Sequence, residues 1–319
     1  MHNYKIYCDD LQEGLWFKNL NNRLKNAELE IIPSRKTDIA TSNLSEVLKY
    51  DRPDIILQDD EKNILILERT IEVPSGHNVG QRYGRLLAAA ELRIPAVYLG
   101  PYAAYKHGGK TAGPRYMNLR LFYSLKKVSK YFNTAITTIN WPVDKYYEII
   151  KSSEKDVRMK EYMDVFFDYY DSYGFSGLTE HLLDSSFQKE QYSEQSTFAK
   201  QEIRSPEQYD TPPDSVQLMS LESFNAVYLN TYQFHPNTKN VLIYNVGMTR
   251  IRSDPYAGMS ALYSYLYCLD NNTILVLHFP HIESSKWFSQ RTSSKTYRMF
   301  KTFSEAIIFK DCLLPREQL

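Results

Sequence analysis

Cysteine is scarce in this chain: three occur in 319 residues, Cys8, Cys268 and Cys312, far apart and without a CxxC pair or Cys/His ligand spacing. Neither a disulfide framework nor a zinc site is expected, and a reducing compartment follows. Long hydrophobic runs are missing too. No stretch approaches the roughly 18 apolar residues that cross a bilayer, and residues 1–5 lack the basic-then-apolar pattern of a secretory signal. The expectation is a cytoplasmic protein with no membrane partner. The GxxxxGK[ST], GxSxG and HExxH motifs are absent, which argues against P-loop nucleoside triphosphatases, α/β-hydrolase esterases and zincins. What the chain does have is 43% hydrophobic content, enough for a substantial core in one large domain or two ordinary ones.

Net charge is zero, which taken alone argues against a polyanion partner, but the charge is unevenly spread. No acidic residue lies between Glu91 and Asp144, where Arg93, Lys106, Lys110, Arg115, Arg120, Lys126, Lys127 and Lys130 supply eight positive charges. From Asp144 to Asp214 sixteen Asp/Glu face eight Lys/Arg, a net of minus eight. A second acid-free segment holds Lys286, Arg291, Lys295, Arg298 and Lys301 beside Trp287, Phe288 and Tyr297. Two basic regions flank an acidic one, which makes nucleic-acid binding plausible at the first; the ordinary reading of such runs is a solvated face.

Periodicity predicts an amphipathic helix over 9–26, with Leu11, Leu15, Leu20 and Leu24 as its stripe, a short strand over 29–33, and the tail of a second helix over 45–50 ended by Pro53. Residues 54–58 and 63–71 read as two strands joined by the acidic turn 59–62. A helix over 79–92 and a wholly apolar strand over 96–99 come next. A basic helical segment reaching Phe132 and a strand near 135–139 follow. Helices are expected over 159–170 and 178–183. Residues 185–215, polar and with three prolines, form the best linker. The last hundred residues return to an α/β pattern: strand 240–244, helix 258–269, strand 273–279, strand 306–309. Val79-Gly80-Gln81-Arg82-Tyr83-Gly84 before one apolar strand has a faint echo in Tyr256-Ala257-Gly258-Met259 before another. The division expected is 1–150, an acidic helical segment and linker over 151–215, and a C-terminal α/β domain over 216–319 for recognition or dimerisation.

The chemistry concentrates at Pro53-Asp54, thirteen further residues, then Glu68-Arg69-Thr70. On a hairpin Asp54 and Glu68 can lie side by side, and alternation puts Glu68, Thr70 and Glu72 on one face with Arg69 on the other. Carboxylates closing an apolar strand are costly unless they reach solvent or a cation, and hard cations such as Mg²⁺ favour oxygen donors. The bland alternative makes Asp54 a turn residue and Glu68 an edge-strand charge.

These residues resemble the PD-(D/E)XK nuclease superfamily, which includes many type II restriction endonucleases. The resemblance spans roughly residues 9–100 and implies the restriction-endonuclease-like αβββαβ core with a mixed central sheet, followed here by a C-terminal α/β region. It implies Mg²⁺ held by Asp54, Glu68 and the main-chain carbonyl of Arg69, with Glu72 helping to hold the attacking water. The family lysine falls at Thr70, which carries no charge, and Arg82, Arg85 or Lys62 are open as substitutes. Gln81 and Arg85, four apart on the next helix, share a face able to reach a phosphate; Glu46 is a weaker third acidic ligand. His77, Arg82, Arg85, Lys106, Lys110, Arg115, Arg120, Lys126 and Lys127 are the candidate DNA contacts. The expected function is a metal-dependent endonuclease cutting double-stranded DNA, as a homodimer by resemblance. The alternative is a degenerate nuclease fold that binds nucleic acid or a partner protein. The aromatics Tyr116, Phe122, Tyr123, Tyr131 and Phe132 read as core before stacking platforms, and His278 and His281 as structural.

Overall fold

The computed structural model describes residues 2–33, 43–74, 76, 78–105, 113–229, 234, 236–251, 255–270 and 272–319. The chain is α/β and divides into two compact units, residues 1–75 with 85–204, and residues 76–84 with 205–319.

The N-terminal unit opens with a strand the periodicity did not reveal, β1 (Tyr4–Cys8). Helix α1 (Leu11–Lys18) is capped by Asp10, which accepts from the Gln12 amide at 2.7 Å, and gives way to a single 3₁₀ turn at Asn22–Leu24. Half of the expected leucine stripe is a correction: Leu20 and Leu24, beyond the end of α1, are buried in the core, whereas Leu11 and Leu15 are exposed and α1 buries Gly14 and Phe17 instead. Gly14 allows the close approach, since a Cβ there would lie 2.7 Å from Cys8 Sγ on β1. Strand β2 (Glu28–Ile31) follows, and residues 43–48 form turns in which Glu46 is exposed.

The hairpin is where it was expected, as β3 (Ile55–Asp59) and β4 (Lys62–Arg69), turned through Asp60 at φ 51°. Because β4 stops at Arg69, Glu72 falls in the loop beyond and lies outside the strand alternation assumed for it. Then come α2 (Asn78–Glu91), β5 (Ala96–Gly100), the small ribbon β6 (Ala103–Ala104) and β7 (Arg115–Tyr116), α3 (Leu119–Phe132) and β8 (Ile136–Asn140). The sheet order is β2-β1-β3-β4-β5-β8, with β1/β3 and β3/β4 antiparallel and β2/β1, β4/β5 and β5/β8 parallel. The mixed sheet was anticipated; the neighbour of β3 was not, for β1 takes that place and β2 lies at the edge.

The two expected helices of the acidic segment follow one another as α4 (Val157–Asp184), divided at Gly174, whose φ 62° and ψ −177° are not helical. Its Tyr162, Phe166, Phe167 and Tyr170 pack with Phe17, Ile55, Leu65, Leu67 and Val97 in one core, each such side chain contributing about 1.5–3 kcal/mol by leaving water. Most of the expected linker is helix α5 (Ser186–Glu202), N-capped by Ser185. Composition misled because its polar face has a use: the amide of Gln188 accepts from Thr137 Oγ1 at 2.6 Å and donates to the Ile136 carbonyl at 3.4 Å. Glutamines thus cover the edge strand β8 and satisfy groups a further strand would otherwise claim.

The C-terminal unit contains β9 (Val216–Ser220), α6 (Leu221–Phe224), β10 (Asn240–Asn245), α7 (Pro255–Tyr267), β11 (Thr273–Phe279), α8 (Ser284–Phe288), α9 (Lys295–Phe303), β12 (Ala306–Phe309) and β13 (Leu313–Pro315). Its sheet runs β13-β12-β11-β10-β9, with β9/β10 antiparallel and β10/β11/β12 parallel. The succession β9-β10-α7-β11-α9-β12 therefore repeats β3-β4-α2-β5-α3-β8, in order and in the sense of every pairing. Pro213-Asp214 leads towards β9 as Pro53-Asp54 leads into β3. The echo between the two helices is also physical: a Cβ on Gly258 of α7 would fall 2.0 Å from the carbonyl oxygen of Gly80, in the first half of α2. No helix among the described residues is long and apolar enough to cross a membrane.

Candidate active site

The β3/β4 register pairs Ile55 with Leu67, so Asp54 and Glu68, one step further out, lie opposite each other. Two like charges directly across a ladder repel, and a cation stands between them. Arg85 Nη1, from the second half of α2, lies 2.9 and 3.1 Å from the two Glu68 oxygens and 3.5 Å from Asp54 Oδ1. Its Nε is 3.8 Å from Asp51 Oδ2. Glu68 is wholly buried, and Asp51, Asp54 and Thr70 are nearly so. Burial alone would lower the Arg85 pKa, but Glu68, Asp54 and Asp51 outweigh it and raise the value above the ordinary one. The second oxygen of Asp54 accepts the Arg69 backbone N–H at 2.7 Å, which fixes the carboxylate's orientation.

The other residues singled out by pattern distribute as follows. The Arg69 side chain meets Glu13 at 2.5 Å and lies over the rings of Trp16 and Trp141. Thr70 Oγ1 donates to the Glu72 carbonyl at 3.0 Å and accepts from the Glu72 amide at 3.1 Å, so the hydroxyl at the family's lysine position closes a tight turn. Glu72 is half-buried. Gln81 and Arg82, also half-buried, belong to the segment of α2 grouped with the C-terminal unit. Arg115 is on β7; Arg120, Lys126 and Lys127 are on α3, with Lys126 and Lys127 exposed and Lys126 Nζ 4.6 Å from the Tyr192 ring. His77, Lys106 and Lys110 lie outside the described residues. Asp51, rather than Glu46, is the third carboxylate near Arg85. Its signal in sequence was only a position three before Asp54.

Among the described residues no group of three or more His, Cys, Asp and Glu side chains is arranged to hold a metal ion. The two carboxylates turn oxygens toward one point, and that point is held by the positive Arg85 Nη1.

The C-terminal repeat acts as an internal control. The β9/β10 register pairs Val216 with Tyr244, which sets Asp214 opposite Val246. Val246 stands twelve residues before Gly258 as Glu68 stands twelve before Gly80, and counting on five from each glycine aligns Arg85 with Tyr263. Val246 and Tyr263 are buried apolar-bodied side chains. The same strand–helix framework thus closes without an ionic centre. Stability alone does not require Asp54, Glu68 and Arg85, since apolar replacement of a buried ion pair is often neutral or better.

No family model, curated protein or solved structure matches this chain. The reading of the site rests on its own geometry.

Proposed function

We propose that the chain is a metal-dependent nuclease of PD-(D/E)XK type, acting on DNA, with Asp54 and Glu68 as the carboxylates that hold Mg²⁺. The observation that carries this is the convergence of two buried carboxylates, fourteen positions apart, on a single cationic nitrogen, where the C-terminal repeat has Val246 and Tyr263 in place of Glu68 and Arg85 and keeps only Asp214. Bound Mg²⁺ would supply a water of lowered pKa and offset charge developing on the phosphate. The Arg69 amide holds Asp54 in place, Arg85 is the cation able to move from Glu68 to a phosphate oxygen, and Glu72 stands at the open end of the strand as the acceptor for a water proton. The exposed lysines of α3 favour a phosphate backbone. Among the described residues each chain has one such centre, so cutting both strands calls for two chains, the homodimer expected from the resemblance, or for two successive nicks.

Two observations favour a second reading, a binding protein with a lapsed site: Arg85 already satisfies Glu68, and Thr70 is a poor substitute for lysine. Supercoiled plasmid incubated with the purified chain separates them. Cleavage that needs Mg²⁺, stops with EDTA and falls at least about a hundredfold in Asp54→Asn supports the nuclease. Salt-sensitive DNA binding with no cleavage under Mg²⁺ or Mn²⁺ supports the second reading.

A further inference from the structure

A second site lies in the N-terminal unit, at the carboxyl ends of its three parallel strands β4, β5 and β8, the edge where open α/β sheets bind ligands. A cavity of about 400 Å³ is lined there by Tyr105, Trp141, Tyr147, Glu148, Lys151 and Lys155 among others, a volume within the range of small-molecule sites. Ile71, two residues past the end of β4, forms part of the wall, so the cavity begins three residues from Glu68.

Its chemistry is specific. Three aromatic rings line one space, and Lys155 Nζ sits 5.9 Å from the Trp141 ring centroid. Trp141 is nearly fully buried, and among the described residues its indole N–H, which has no exposed surface, has no acceptor. Tyr147 is held at φ 60°, in the left-handed region that a bulky residue rarely adopts. The loop imposes it: Asp144 Oδ1 accepts from the amides of Tyr146 and Glu148 at 2.8 and 3.0 Å, and the Tyr105 amide bonds the Tyr147 carbonyl at 3.3 Å. Strain retained at a cavity wall, where glycine would be unstrained, indicates that the ring is needed there.

We infer that this cavity binds one nucleotide unit, its base stacked on Tyr147 with the perpendicular Tyr105 ring at its edge and Glu148 accepting from it, its phosphate on Lys151 and Lys155. An aromatic face takes any base, a carboxylate accepts from a base N–H, and two lysines at the mouth suit an anion. The substrate class, an unstacked nucleotide of a nucleic acid, rests on the nuclease reading; the pocket's geometry does not.

The test uses the full chain in EDTA, with deoxynucleoside 5′-monophosphates and base-less 2-deoxyribose 5-phosphate titrated by calorimetry. At least one monophosphate should bind about tenfold or more tightly than the sugar phosphate. Tyr147→Gly should lose about tenfold in affinity with little change in melting temperature, because relief of the backbone offsets the lost edge contacts of its ring with Tyr105 and Tyr116. Lys151→Gln with Lys155→Gln should weaken binding and flatten its salt dependence. A single-stranded oligonucleotide carrying one 2-aminopurine should change emission with wild type and not with Tyr147→Gly, which separates a base within a strand from a mononucleotide alone. Equal binding of the base-less phosphate, or undiminished affinity in Tyr147→Gly, overturns the proposal. In the wild-type chain, nucleotide affinity without cleavage under Mg²⁺ sinks the catalytic reading alone, and cleavage without nucleotide affinity sinks this one alone.

Discussion

Exchanging Glu68 and Arg85 for the residues their counterparts carry in the C-terminal unit tests how this chain is built. Arg85→Tyr by itself leaves a carboxylate with no exposed surface, facing Asp54, without the guanidinium that lies 2.9 Å away. Breaking a buried pair by removing one partner costs about 3–5 kcal/mol. The N-terminal unit, residues 1–75 and 85–204, is in the size class where each kcal/mol shifts the melting transition by about 2–4 °C, so a fall of roughly 6–20 °C is expected. Glu68→Val alone strands Arg85 among Asp51 and Asp54 and should cost somewhat less, since the cation keeps partners. The double variant copies Val246 and Tyr263, and should recover most of the loss, to within about 1–2 kcal/mol of wild type, with a favourable coupling energy in a double-mutant cycle. Calorimetry and urea denaturation of the four proteins measure it. If the double variant is as unstable as the sum of the single ones, the alignment of the two repeats, and the argument that the ionic centre serves function before stability, are wrong.

Three further outcomes follow from the geometry. The Asp59 carboxylate accepts from Tyr170 Oη at 2.8 Å, His2 Nδ1 at 2.5 Å and the Asn3 amide at 3.0 Å; burial pushes its pKa up, but these bonds outweigh burial and hold it below the ordinary 3.8. A lowered folded-state value stabilises above that pH and loses its effect as pH falls through it, so the stability gap between wild type and Asp59→Asn should be full near neutrality and close in acid, below about pH 4. Gln188→Leu leaves Thr137 and the Ile136 carbonyl without their partner; it should cost about 1–3 kcal/mol and speed amide exchange selectively in β8. A Cβ on Gly100 would lie 2.6 Å from Thr70 Cγ2 and 3.1 Å from the Thr70 carbonyl oxygen, so Gly100→Ala should cost about 1–3 kcal/mol by overpacking, and adding Thr70→Ser, which deletes that methyl, should return part of it in denaturant titrations.

Much of the local structure was legible because short-range chemistry writes it. The hairpin, α2 and β5 carry alternation, a helical stripe and an apolar run bounded by Pro74 and Pro95, and each appears within a residue or two of its expected place. Asp54 and Glu68 were legible only as neighbours on one hairpin: the turn pairs Asp59 with Lys62 and by itself would set Asp54 opposite Leu67, and a bulge between Leu57 and Gln58 shifts the register so that Glu68 takes that place. Arg69 was readable as facing away from Glu68 from strand alternation alone, and its side chain does meet Glu13 and Trp16.

What tertiary structure alone decided is everything that depends on contacts distant in sequence. Whether β1 or β2 joins β3 is settled by long-range burial, which leaves no local period. The polar composition of α5 reads as a linker until β8 presents it with backbone groups to satisfy. Arg85 could have faced solvent, a phosphate or Glu68, and only the packing of α2 on the hairpin chooses among them. The repeated topology shows the same division: an echo of a few residues around Gly80 and Gly258 in the sequence stands beside a repeated strand order in space, which only the pairing of distant strands reveals. Sequence determined which elements form and that two carboxylates share one hairpin; the fold determined, through a bulge in its register, that they lie opposite each other and that a cation already stands between them.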